Sequence, residues 1–336
     1  MPPELIAQEP IEPRDSSKLL VLDRQSGRIE HRRFTDINCY FKPGDLLVVN
    51  DTKVLPARLI GKKQDTDANI EVLLLTEQEA GTWEVLAKPA KRLKTGSQII
   101  FDDDLQAEVA EKLENGRLLL RFKSQEPLLN VFQKIGQVPL PPYIVKPLLH
   151  RERYQTIYAK KEESAAAPTA GLHFTAELID DLKLGGVKFA HLTLRIGLDT
   201  FQPIREKTVE EHKIHSEYYE VSAETGSLIK EATQRKSRII AVGTTAARVL
   251  ETLATRSFAN AQDDTGSMSG YTDLFIYPGY EFKKVDLMIT NFHLPCSTLL
   301  AMVSAFAGLE QIKNAYEQAI KNNYRFFSFG DAMLIL

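Results

Sequence analysis

The chain has 336 residues, enough for about two domains at ~100–200 residues each. Its 43% hydrophobic and 26% charged residues exclude a disordered chain, and two distant cysteines, Cys39 and Cys296, exclude a disulfide scaffold. They also predict a reducing, cytoplasmic setting. A net charge of −3 excludes a global basic footprint, so nucleic-acid contact requires a local patch.

Met1–Glu4 offers no basic region followed by an apolar core, which predicts no targeting segment. Short strands are expected at Lys18–Asp23 and Asp45–Asp51, the second an apolar run suited to burial on both faces. Between Leu59 and Tyr143 the texture changes. Ile70–Leu75, Trp83–Ala87, Gln98–Phe101, Ala107–Ala110 and Arg117–Phe122 read as strands between polar turns, with a weak helical period at Glu126–Lys134. That spacing predicts a small β-barrel or sandwich. Pro139–Pro142 closes the region, because proline cannot donate to a ladder.

After Tyr154 the pattern alternates. Helices are expected at Ala176–Leu184, Ser222–Arg235 and Ala246–Ala254, and strands at Val187–Ile196, Arg238–Val242, Leu274–Tyr277 and Leu287–Thr290. Ser257–Thr272, poor in apolar residues, reads as a mobile loop. Leu287–Leu309 carries no Asp, Glu, Lys or Arg, but Asn291, His293 and Pro295 interrupt it. A strand, a loop and one long helix capped by Ser297 or Thr298 and running to Lys321 are expected, rather than a membrane span. The N-terminal strands should join the C-terminal sheet. Residues 1–58 and 148–336 then form a discontinuous α/β domain, and 59–147 an inserted domain.

Several places could carry chemistry. Gly243-Thr244-Thr245 lies between strand and helix, where free N–H groups suit a carboxylate, a phosphate or a ribose edge; an ordinary capped turn is the alternative. Ala165–Phe174 combines small residues with one ionisable group, His173, which is either catalytic or a satisfied core residue. His212 and His215 could share a helix face and, with His173 or His293, a metal; an exposed polar segment is the better-supported reading. Asn50 and Asp51 end a buried strand, as a ligand edge or an Asx turn. Lys88, Lys91, Arg92 and Lys94 form either a solvated face or a phosphate-contacting patch.

Taken in order, DLLVVNDTKVLPARL at Asp45–Leu59, VPLPPYI at Val138–Ile144, YQTIY at Tyr154–Tyr158, AAPTAGLHFT at Ala166–Thr175, HSEY at His215–Tyr218, AVGTT at Ala241–Thr245, TNFHLP at Thr290–Pro295 and YRFFSFGDAM at Tyr324–Met333 resemble the S-adenosylmethionine:tRNA ribosyltransferase-isomerases of queuosine biosynthesis. The resemblance implies a three-layer α/β domain with an inserted small β-barrel. It implies transfer and isomerisation of the ribosyl part of S-adenosylmethionine onto 7-aminomethyl-7-deazaguanine at the tRNA wobble position, giving epoxyqueuosine, adenine and methionine. No metal or cofactor, no membrane and a monomer are expected. Such chemistry needs a base near the ribose and a donor for adenine. His173 is the first candidate, then His293 and Asp331. Asn50, Asp51, Thr169, Gly171, Gly243, Thr244 and Thr245 are expected to hold S-adenosylmethionine, with Thr244 and Thr245 suited to its methionine carboxylate. Lys88, Lys91, Arg92 and Arg58 are expected to hold tRNA.

Two departures stand out. Arg195 and Asp199 replace a histidine and a glycine of the family pattern TLHVGxGTF, and a coupled pair is expected. They also motivate a competing reading, a non-catalytic tRNA-binding module. A methyltransferase is a second, weakened by the missing glycine-rich loop.

Overall fold

A computed structural model of the chain describes residues 2–113, 116–197, 204–255 and 266–336, the side chains of 162 and 163 excepted. The chain divides into two compact units. One comprises Met1–Lys53 with Pro141–Leu336, the other Val54–Leu140.

The first unit contains β1 (Lys18–Leu22), β2 (Ile29–Arg33), β3 (Leu46–Asn50) and, after the second unit, α1 (Ala176–Leu184), β4 (Lys188–Leu194), β5 (Glu217–Val221), α2 (Ala223–Arg235), β6 (Ile239–Val242), α3 (Thr244–Thr255), β7 (Met268–Thr272), β8 (Leu287–Asn291), α4 (Thr298–Ala307), α5 (Leu309–Lys321) and β9 (Ala332–Ile335). Among the described residues these strands form one nine-stranded sheet in the order β7-β5-β4-β3-β6-β8-β9-β1-β2.

Strand alternation divides the core in two. Leu20, Leu22, Leu46, Val48, Ile239, Ala241, Met288 and Met333 face one way, with residues of α2, α3, α4 and α5. Leu19, Val21, Leu47, Val49, Ile240, Val242 and Leu334 face the other, against Leu178, Ile179 and Leu182 of α1 and Phe34, Ile37 and Phe174. The result is the expected three-layer α/β architecture. The central strands are apolar on both faces because both faces are covered.

Strand direction decides where a site can form. β3, β4, β6 and β8 run parallel. β9 runs against β8, and β1 runs with β9. The carboxyl ends of β3, β4, β6 and β8 and the amino ends of β1 and β9 therefore lie along one edge of the sheet.

In the second unit six antiparallel strands close a barrel: Arg58–Lys63, Asn69–Glu79, Thr82–Lys88, Gln98–Asp102, Leu105–Lys112 and Arg117–Lys123. Every other residue turns inward, so Leu59, Ile70, Val72, Val85, Ile99, Val109, Leu118 and Leu120 fill it. The helix Leu128–Ile135 adds Val131 and Phe132 to that core, Phe132 meeting Trp83 edge-on.

Three expectations are corrected. Leu274–Tyr277 is not a strand; Ile276 enters the core without joining a ladder. A strand forms instead at Met268–Thr272, inside the expected loop, because an edge strand needs little apolar content once its backbone pairs with β5. Of that loop, residues 257–265 lie outside the described ones. The helix after Ser297 is two helices, broken at Gly308, whose φ of 88° no helix accommodates. Ser297 does cap the first, accepting from Leu300 N at 3.1 Å.

Candidate active site

The sheet edge gathers residues far apart in sequence. Asn50 ends β3 and binds the end of β4 through both halves of its amide. Its Oδ1 accepts from Thr52 N and Leu194 N, each at 3.1 Å, and its Nδ2 donates to Leu194 O at 3.1 Å. Asp51 follows, buried, and accepts from Thr193 Oγ1 at 2.7 Å. After β6, Gly243 turns at a φ of 89°, and Thr244 and Thr245 open α3. Thr245 Oγ1 is buried without a partner. The short helical turn Thr169–His173 lies over this corner; a Cβ on Gly243 would meet that of Ala170 at 3.5 Å. Gly171 is required sterically, because a Cβ there would come within 2.0 Å of the Tyr158 hydroxyl.

His173 is buried and stacks on Phe34, with ring centroids 5.0 Å apart. Its Nδ1 lies 2.8 Å from Ser17 Oγ. Its Nε2 faces Asn291 at the end of β8 without a hydrogen bond of normal geometry, and Nε2 and Asn291 Oδ1 are both unpartnered. Asn291 Nδ2 donates to Phe327 O at 3.0 Å and Ser328 O at 3.4 Å, which turns Oδ1 away from those carbonyls. A proton on Nε2 would face the Asn291 amide oxygen, with the Ser17 hydroxyl donating to Nδ1; a proton on Nδ1 would instead be donated to Ser17 Oγ. Burial, with the Arg325 guanidinium nearby, pushes the His173 pKa down to about 3. The ring is held neutral near pH 7, with one N–H and one lone pair, where a free imidazole would be partly charged.

His293 is also buried. Its Nε2 pairs with Thr290 Oγ1 at 2.7 Å, and burial lowers its pKa to about 4. Asp331, at the start of β9, accepts from Lys18 N at 3.1 Å and Arg325 N at 2.8 Å, tying β1 to the Tyr324–Met333 block. Asn50, Asp51, Thr169, Gly171, His173, Gly243, Thr244, Thr245, His293 and Asp331 all lie at or beside this edge.

The second unit holds the four expected tRNA contacts. Lys88, Lys91 and Arg92 are exposed at the end of a barrel strand and the turn after it. Arg58 differs: its guanidinium pairs with Glu71 at 2.9 Å, so its charge is already balanced.

His212 and His215 share no helix, and His212 Nδ1 pairs with Glu206 at 2.9 Å. Among the described residues no three His, Cys, Asp or Glu side chains gather as metal ligands, and no helix is long and apolar enough to cross a membrane. Asp199 lies outside the described residues. Arg195 is 44% exposed, sits over the Tyr218 ring at 4.4 Å and approaches Glu220 at 4.0 Å. Ser17, Asn291, Arg325, Tyr154, Thr156 and Tyr158 are site neighbours that sequence reasoning does not single out. Five of them lie inside the quoted blocks; Ser17 has no local signal, since it matters only through a ring 156 residues away.

A family model described as "Queuosine biosynthesis protein" matches residues 1–335. An S-adenosylmethionine:tRNA ribosyltransferase-isomerase from Caldanaerobacter subterraneus subsp. tengcongensis is 53% identical over 340 aligned residues, covering 100% of this chain and 97% of that protein. The crystal structure of an S-adenosylmethionine tRNA ribosyltransferase from Thermotoga maritima is similar at 44% identity and a TM-score of 0.57, covering 100% of this chain and 98% of that one.

Proposed function

Since this chain belongs to the queuosine biosynthesis protein family and is an enzyme of the transferase–isomerase class, we propose that it acts on S-adenosylmethionine and a tRNA. It moves and isomerises the ribosyl part of S-adenosylmethionine onto 7-aminomethyl-7-deazaguanine at the wobble position. Epoxyqueuosine, adenine and methionine result, with S-adenosylmethionine as co-substrate and no separate cofactor. The observation that carries this reading is convergence: five blocks scattered from Asp45 to Met333 deliver Asp51, His173, Thr245, Asn291 and Asp331 to one sheet edge.

The sulfonium acidifies the C5′ protons. A base takes one, and the electron pair left on carbon opens the ribose and expels adenine, which is protonated as it leaves. The aminomethyl nitrogen then attacks the unsaturated chain and gives up a proton, methionine departing with the C–S electrons as the epoxide closes. In this reading His173 Nε2–H and Asn291 Oδ1 present a donor and an acceptor side by side, suited to a hydroxyl or an adenine edge. The neutral ring donates to charge that develops as adenine leaves. Ser17 holds the ring through Nδ1. His293 and Asp331 shape the wall, through Thr290 and through β1 and Arg325. Gly243, Thr244, Thr245, Thr169 and Gly171 let the nucleoside approach backbone closely at the start of α3. Lys88, Lys91 and Arg92 contact tRNA phosphates. The protein works as a monomer in the cytoplasm.

The test is product analysis. Incubation with S-adenosylmethionine and precursor tRNA should release adenine and methionine together. S-Adenosylhomocysteine would instead indicate a methyltransferase, and binding without turnover a non-catalytic tRNA-binding protein.

A further inference from the structure

A second feature adjoins the sheet edge. A cavity of about 530 Å³ lies over β4 and β5, lined by Asp51, Lys160, His191, Tyr218 and Met268, among others. Asp51 is only 7% exposed, yet just one of its side-chain oxygens is engaged, by Thr193. No cation pairs with it among the described residues. The other oxygen opens on the cavity, and a carboxylate so nearly buried and without a cation favours a positive group that arrives with a ligand.

The other charges around the cavity are mostly committed. Lys161 pairs with Glu220. Glu224 lies in the first turn of α2, where the helix dipole favours an acid. Lys160 has no acidic partner among the described residues, and its backbone N–H bonds Asp51 O at 2.8 Å, which fixes it beside that residue. His191 stands near both, its Nδ1 buried and unpartnered. Leu228 and Met268 add an apolar wall. One unpaired carboxylate, one unpaired ammonium and an apolar side describe the complement of an α-amino acid with an unbranched apolar chain.

We propose that this cavity binds the amino-acid end of the co-substrate: Asp51 takes its ammonium, Lys160 meets its carboxylate, and the chain lies along Leu228 and Met268. This rests on the reading of S-adenosylmethionine as co-substrate and moves the methionine carboxylate from Thr244 and Thr245 to Lys160. Tyr158 links the two places. Its ring meets His191 edge-on at 6.0 Å, and its hydroxyl rests on Gly171 beside the nucleoside corner. A nucleoside at Gly243–Thr245 and an amino acid at Asp51 then lie across adjacent strand ends.

Calorimetric titration of the full chain tests it, with three probes: S-adenosylmethionine, its decarboxylated analogue and L-methionine. Asp51→Asn, which can keep the Thr193 hydrogen bond, should weaken S-adenosylmethionine about ten- to a hundredfold, the scale of a lost charged hydrogen bond. Lys160→Ala, which leaves the backbone bond to Asp51 in place, should weaken it about two- to fivefold and leave the decarboxylated analogue unchanged. Should Asp51→Asn not fold, the Lys160→Ala arm decides alone. Equal weakening of both ligands by Lys160→Ala, or unchanged affinity in both variants, overturns the proposal. So does an Asp51→Asn effect confined to tRNA, which would place the aminomethyl group of the base at Asp51. If the wild-type chain binds L-methionine with this charge dependence but not S-adenosylmethionine, the co-substrate reading fails and the cavity assignment stands. If it binds neither, the cavity assignment fails too.

Discussion

The sheet edge of the α/β unit and the interior of the barrel are both buried, yet they are built from opposite materials. The barrel holds aliphatic and aromatic side chains packed on one another, with charges turned outward and, among its described core residues, one buried polar atom without a partner, Trp83 Nε1. The sheet edge buries His173, Asn291, Thr245, Tyr154 and Tyr158 with polar atoms that have no protein partner. A folded chain tolerates few such atoms, because each forfeits its bonds to water. The difference is one of degree: unpaired polar groups cluster at the sheet edge, where a ligand would meet several of them, and are isolated in the barrel.

The sharpest way to break this comparison is to damage the barrel core. Phe132→Ala removes a ring packed on Trp83 and Phe122 and should cost about 3–5 kcal/mol of stability. S-Adenosylmethionine affinity should stay within about twofold by calorimetry, since the barrel core holds none of its proposed binding residues. A parallel loss of affinity would show that the two regions are not separable.

Acid should act through the sheet edge. His173 and His293 have folded pKa values of about 3 and about 4, below the ordinary histidine value near 6.5. Depressed values mean that the unfolded chain takes up protons first as pH falls. The stability they provide is complete above about pH 6.5 and drains away toward pH 3–4, by about 1.4 kcal/mol per pH unit for each group. Urea titrations between pH 7 and pH 5 should show this slope in the wild type and a shallower one in His293→Gln. Identical slopes would mean that the ring is not held neutral.

The smallest effect belongs to the barrel surface. Charge reversal of Lys88, Lys91 and Arg92 together should weaken tRNA binding and flatten its salt dependence, by ~0.9 in log–log slope for each duplex phosphate that a reversed cation neutralises in the wild type. Arg58→Ala should change that slope less, because Glu71 already neutralises it. An unaltered slope in the triple variant would reduce the patch to a solvated face.

Much of the fold is legible in the sequence, and the reasons are physical. Ala176–Leu184 is readable to the residue because Thr175 caps it and Gly185-Gly186 ends it. The strand at Met268–Thr272 is hidden because an edge strand is recognised by its backbone partner, not by its own Ser and Gly. The break at Gly308 escapes notice because one glycine between two apolar helical stretches disturbs periodicity little. At the candidate site, residue types point to segments that the fold brings to one sheet edge. The lowered pKa of His173 does not follow, since it depends on burial and on Arg325, which only the fold brings near the ring.

If the buried, unpartnered edge around His173 carries the chemistry, single-turnover ribosyl transfer by His173→Ala, at saturating S-adenosylmethionine and tRNA, shows it most directly. The rate should fall by ~100-fold or more, the scale of a lost donor to developing charge, with both affinities within a few-fold of wild type. A rate that holds while thermal stability drops would contradict that role and leave His173 as a packing residue on Phe34.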